Sequence, residues 1–211
     1  MTKVRLLVLA AVTGAALLGP NCSPSLAPIH PMTIGSVWNT TTITLSGPAG
    51  GALDTVSTTT ITRTALQKAS LANGREVVEF KDDSTIHTRT PDTTVSATGD
   101  YYMAEVGDTI MSYKSLDDTI GTPVLMSDPV AGDTWLEGAT GVTVVGQEDV
   151  TVAAGTYRKA WKMKLTVHSP VTFDIYEWYA RGTGMVKSYY DATFLGKERI
   201  FDQELTSATI K

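Results

Sequence analysis

The sequence predicts an all-β fold: one antiparallel, strongly curved sheet forming an open or half barrel or a sandwich. Three observations carry that expectation. Thr40-Thr41-Thr42-Ile43-Thr44 and Thr58-Thr59-Thr60-Ile61-Thr62 are rich in side chains branched at Cβ, which fit a pleated strand better than a helix. From Tyr157 to His168, Tyr157, Trp161, Met163, Leu165 and Val167 share one parity and Arg158, Lys162, Lys164, Thr166 and His168 the other. Successive strand side chains point to opposite faces, so this stretch has one apolar face and one basic face. Finally, glycine, proline and asparagine recur between short β-rich runs, and no long window carries apolar residues at helical spacing.

The chain opens with a different kind of segment. Lys3 and Arg5 precede an apolar run from Leu6 to Leu18, which describes an N-terminal signal helix over residues 1–21. That run is shorter than the roughly 20 apolar residues a membrane span requires. Cys22, the sole cysteine, stands just after it and before Ser23-Pro24-Ser25. A lone thiol in an exported chain forms no internal disulfide. Its position resembles the acylated first residue of a mature bacterial lipoprotein, with Leu18, Gly19, Pro20 and Asn21 in place of the usual Leu, small residue and Gly or Ala. Ordinary cleavage after Ala27 is the alternative, and Pro28 at the cut disfavours it. Residues 22–32, with three prolines and no periodicity, are expected to be a flexible tether, and residues 33–211 a single β domain.

Within that domain the first strand is expected from Val37 to Ser46, ending at the glycine-rich loop 47–51, and the second from Asp54 to Leu66. Asn73-Gly74 is the strongest hairpin signal and introduces a strand from Arg75 to Lys81. Asp82-Asp83 and Pro91-Asp92 are expected to bracket a strand around residues 85–88. Further strands follow at Val95–Ala104, Thr109–Leu116, Pro123–Met126, Val142–Gly146 and Val150–Val152. Then come the alternating pair on either side of His168-Ser169-Pro170 and a last strand from Lys197 to Ile210. Gly182-Thr183-Gly184 reads as an interruption within the second member of that pair. Gly-x-x-Trp occurs twice, at Gly35 to Trp38 and at Gly132 to Trp135, each opening a run of strands. The two tryptophans are large enough to plug a packed core, toward which the sequence leans.

Removing Lys3 and Arg5 leaves 15 Lys+Arg against 22 Asp+Glu, a net charge of −7. That excludes a nucleic-acid partner, which takes basic charge to displace counterions from phosphates. His30, His87 and His168 are isolated, so no metal is expected. No G-x-S-x-G elbow or phosphate-binding loop is present, and no cofactor is expected. Asp82-Asp83, Asp117-Asp118 and Glu148-Asp149 are adjacent pairs whose members face apart on extended chain. Glu177, between Tyr176 and Trp178, reads as a strand glutamate on a solvent face. Tyr176, Trp178 and Tyr179 are the candidate ligand-contact aromatics, since such rings offer an apolar face with a polar handle.

Gly132-Asp133-Thr134-Trp135, Val150 to Tyr157, and Glu177-Trp178-Tyr179-Ala180-Arg181-Gly182-Thr183-Gly184-Met185-Val186-Lys187-Ser188 together resemble a broad group of bacterial envelope lipoproteins without assigned function. Those proteins carry Gly-Asp-x-Trp, Val-Pro-Ala-Gly-Thr-Phe/Tyr and Trp-Tyr-Ala-x-Gly-Val-Gly-Leu-Val-Lys. Here Ala153 replaces the proline, and Thr183 and Met185 replace Val and Leu. The resemblance implies a curved antiparallel sheet, distantly like the lipoprotein carriers of the outer-membrane pathway but without their helical lid. The expected function is a non-catalytic, lipid-anchored binding or interaction module, facing the periplasm or the cell exterior and attached to the membrane through Cys22. Its expected ligand is apolar or a glycan. The alternatives are carriage of an apolar molecule and a hydrolase of envelope polysaccharide that uses Glu177 with an aspartate from a turn.

Overall fold

The computed structural model describes residues 27–168 and 171–211. Twelve strands follow one another: β1 (Val37–Pro48), β2 (Asp54–Ser70), β3 (Glu76–Arg89), β4 (Asp92–Val106), β5 (Thr109–Tyr113), β6 (Thr122–Met126), β7 (Thr134–Glu137), β8 (Thr140–Val152), β9 (Gly155–His168), β10 (Thr172–Ala180), β11 (Gly184–Phe194) and β12 (Lys197–Thr209). They form one sheet in the order β6-β5-β4-β3-β2-β1-β12-β11-β10-β9-β8-β7. Every pairing is antiparallel, and the first and last strands are neighbours. The two edge strands, β6 and β7, approach each other, so the sheet curls into a nearly closed barrel. A sandwich of two separate sheets is thereby excluded. The chain is two six-strand meanders, and each Gly-x-x-Trp opens one of them, with Trp38 in β1 and Trp135 in β7.

The period-two pattern fixes the faces. In the β9–β10 pairing, Trp161, Met163 and Leu165 oppose Tyr179, Glu177 and Ile175, while Lys162 and Lys164 oppose Trp178 and Tyr176. Met163 and Leu165 are buried, and Trp161 packs against the core. The other face is ordered rather than merely wet. Lys162 Nζ lies 3.2 Å from Glu148 Oε1 and 5.0 Å from the centroid of both the Tyr176 and Trp178 rings.

Several boundaries differ from the sequence reading. Asp82-Asp83 lie inside β3 rather than at a turn, because Asp82 answers Arg63 directly across the ladder. Gly182-Thr183-Gly184 is a hairpin turn between β10 and β11, not an interruption. Gly184 has φ of +95°, and a Cβ there would sit 3.1 Å from the His30 ring, so glycine serves both the turn and the close approach. Trp135 lies within a strand, and residues 140–152 form one strand in place of two.

The segment expected to be a tether does not stay outside the core as far as Met32. Ile29 and His30 are buried, and the Gly182 N–H donates to the Pro28 carbonyl at 2.7 Å. Cys22, the signal helix, and Ser169-Pro170 lie outside the described residues. Among the described residues no helix occurs.

Candidate functional site

Inside the barrel the two meanders face each other across a cleft of about 230 Å³, lined by His30, Arg63, Tyr101, Met103, Ser112, Val124, Leu125, Glu137, Glu177, Tyr179 and Met185. One wall comes from β2, β3 and β4. Arg63 donates from Nε and a terminal nitrogen to the two Asp82 oxygens at 2.9 and 2.8 Å, the bidentate geometry in which Arg and carboxylate pair best. The Arg63 guanidinium carbon also stands 5.3 Å from the Tyr101 ring centroid. Burial works against the charge on Arg63, but its hydrogen bonds to Asp82 and the nearby negative groups outweigh it and the group stays ionised. Behind this wall, the Tyr101 ring stacks on Phe80 at 5.5 Å, and Phe80 in turn meets Trp38 at 6.0 Å.

The other wall is acidic. Glu177 and Tyr179 are two residues apart on β10 and so share a face. The Tyr179 hydroxyl donates to Glu177 Oε2 at 2.7 Å. Glu137, at the end of β7, completes the group. Burial, and then the neighbouring Glu177, push the Glu137 carboxyl up to about 7. Burial also raises Glu177, opposed by the Tyr179 hydrogen bond and by Arg63.

Two polar atoms here lack partners among the described residues: His30 Nε2 and the Tyr101 hydroxyl. His30 is lowered to about 3, by burial first and by Arg63 second, so its ring is neutral. It lies parallel to Trp38 with centroids 6.0 Å apart. Buried polar groups normally find partners, and two unpaired ones lining the same cleft mark a place where something polar fits.

The Glu137 carboxyl gives a pH prediction. Its value in the unfolded chain is near 4.5. Between there and about 7 the folded protein holds a proton that the unfolded chain has released, so stability falls as pH rises through that window. Glu137→Gln removes the ionisation. Allowing for the solvent that reaches a half-buried group, the variant is expected to gain about 1 kcal/mol over wild type at pH 8 and nothing at pH 4. Urea titrations at both pH values check this, and a difference independent of pH contradicts it.

The residues singled out from the sequence are only partly brought together. Glu177 points inward, against the solvent-face expectation, because its register partner is the core residue Met163. Of the three aromatics, Tyr179 enters the cleft, while Tyr176 and Trp178 share the opposite face with Lys162, their rings 6.3 Å apart. They do not form one platform with Tyr179. The acids expected at turns are already engaged: Asp118 accepts the Lys114 and Ser115 N–H groups at 2.8 and 3.1 Å, and Asp149 accepts that of Lys159 at 2.9 Å. The sequence reading missed Arg63 and Glu137 and the roles of Asp82 and His30. A signal was present for one of them, since Arg63 shares parity with Ile61 and the fully buried Ala65.

The fold is shared with a solved protein, and a second solved protein is a weaker match. One is described as an exported protein with a YmcC-like fold from Bacteroides fragilis. It is 15% identical, with a TM-score of 0.50, over 87% of this chain and 99% of that one. A second is described as a lipoprotein from Parabacteroides distasonis, 14% identical with a TM-score of 0.40, over the same shares. At these identities the likeness is one of fold. No protein-family model and no curated protein matches the chain.

Proposed function

We propose that this chain is a cell-envelope lipoprotein, anchored through Cys22, whose barrel interior binds a small polar ligand without performing chemistry on it. The observation that carries the reading is the cleft itself, a polar pocket with the unpaired His30 Nε2 and Tyr101 hydroxyl in its lining. The location rests on the signal-like N-terminus with Cys22 behind it, and is supported by the fold shared with a protein described as exported. A polar ligand is favoured over an apolar cargo because the lining carries Arg63, held by Asp82 behind it, and two glutamates. The volume is also below the roughly 300 Å³ at which drug-sized sites begin. A binding role is favoured over hydrolysis because Asp118 and Asp149, two of the aspartates expected at turns, serve backbone N–H groups, and Asp82 is held by Arg63.

Two experiments test the two halves. Cys22→Ser is expected to move the protein from the membrane fraction to the soluble fraction of its host, and wild type already found in the soluble fraction contradicts the anchor. For the cleft, methyl-labelled methionine provides the readout, since Met103 and Met185 line it and Met126 does not. Small-molecule extract from the host envelope is expected to shift the Met103 and Met185 signals and leave Met126 in place. Shifts confined to Met126 would place binding elsewhere.

A further inference from the structure

Charge pairing in the cleft narrows the ligand class, and the argument rests on the binding role proposed above. Arg63 is the cleft's one cation among the described residues, and Asp82 holds it with two hydrogen bonds. Glu137 and Glu177 therefore face the same space with no ion-pair partner among the described residues. A carboxylate out of bulk water is costly unless it is protonated or paired, and two near each other compound the cost. Polar groups stand in the same lining: the Tyr179 hydroxyl donates to Glu177, and Tyr101, whose ring is taken up by Phe80 and the Arg63 guanidinium, offers an unpaired hydroxyl. His30, fully buried and neutral, adds an unpaired ring nitrogen to the same lining.

Carboxylates beside further acceptor atoms are the chemistry that recognises an ammonium group, through charge-assisted hydrogen bonds. Among the described residues no group of three or more His, Cys, Asp or Glu is arranged to hold a metal ion, which favours an organic cation over an inorganic one. We infer that the cleft between Glu137 and Glu177 is a binding site for a small organic ammonium ion.

Proton and ligand then compete for the same carboxylates. The titratable groups facing this space are Glu137 on β7, Glu177 and Tyr179 on β10, Arg63 on β2, Asp82 on β3, Tyr101 on β4, and His30 ahead of β1. Of the carboxylates among these, Asp82 is ion-paired with Arg63, and the two glutamates have no ion-pair partner among the described residues. Binding is therefore expected to strengthen as pH rises from 5 to 8 and Glu137 ionises.

The test titrates full-length protein with n-butylammonium, and separately with n-butanol and butyrate, following the Met103 and Met185 methyl signals. The expected result is saturable binding of butylammonium at pH 8. It should be at least about tenfold tighter than either analogue, and weakened at least about tenfold by Glu177→Gln or Glu137→Gln. Gln at residue 177 still accepts the Tyr179 hydrogen bond, so loss of binding with an unchanged unfolding midpoint at pH 5 separates lost charge from lost fold. Equal binding of butanol or butyrate at these methyls overturns the cation assignment while leaving a ligand-binding cleft in place. No saturable shift with any of the three overturns it as well, and molecules retained by host-purified protein then judge the cleft on their own.

Discussion

Phe80→Ala is expected to remove about 3–5 kcal/mol of stability, the usual cost of truncating a buried aromatic ring. Phe80 has no exposed surface, and its ring touches three others: Tyr101 at 5.5 Å, His30 at 5.8 Å and Trp38 at 6.0 Å. These rings come from β4, the segment ahead of β1, and β1, so one side chain joins the N-terminal segment to the first meander. Truncating it leaves a void among residues held by their own strands, which limits collapse into the space. The urea midpoint should fall with little change in slope. A loss under about 1 kcal/mol, the range of surface sites, would mean that the aromatic cluster is not packed as described.

Met163→Ala is expected to cost about 2–5 kcal/mol, since Met163 is 1% exposed in the middle of the longest alternating stretch. Its neighbour is the control. Lys162 sits on the opposite face, paired with Glu148 and lying over two rings. Lys162→Ala is therefore expected to cost about 1 kcal/mol, more than a free surface lysine but well short of a core residue. The same difference is expected in thermal and urea midpoints. Equal costs for the two substitutions would require a register shifted by one residue, because that exchanges the faces.

These two residues show what was legible in the sequence. Alternation from Trp161 onward fixed the faces of β9 because one face is apolar and the pattern has the period of a strand; ahead of it, Lys159 at φ of +53° and the buried Ala160 break the pattern. Asn73-Gly74 gave the β2–β3 hairpin for an equally local reason: Gly74 adopts φ of +83° there, as a tight turn demands. The cleft was less legible because it breaks the rule that strand charges face solvent. Arg63 and Glu177 lie on inward positions, and each is tolerated through a partner that local pattern does not reveal. For Arg63 that partner is Asp82, on the next strand; for Glu177 it is the Tyr179 hydroxyl, within a cleft made by curling the whole sheet. Glu137 belongs to a short strand that the pattern did not mark, and it shares the cleft with Glu177, three strands along the sheet, only because the sheet curls. His30 was misplaced for a related reason. Three prolines make its segment look like a tether, and only the β10–β11 turn, some 150 residues away, draws Pro28 and its neighbours into the core.

The central claim is that the barrel interior holds a ligand, and the most direct measurement is native mass spectrometry of the protein purified from its own host. The wild-type protein is expected to carry a small molecule in addition to the acylated polypeptide, released on gentle activation. The Tyr101→Phe/Glu177→Gln double variant, folded to the same midpoint at pH 5, is expected to lack it. A wild-type spectrum showing only the acylated polypeptide, or an adduct that the double variant keeps in full, would contradict a ligand site in the cleft.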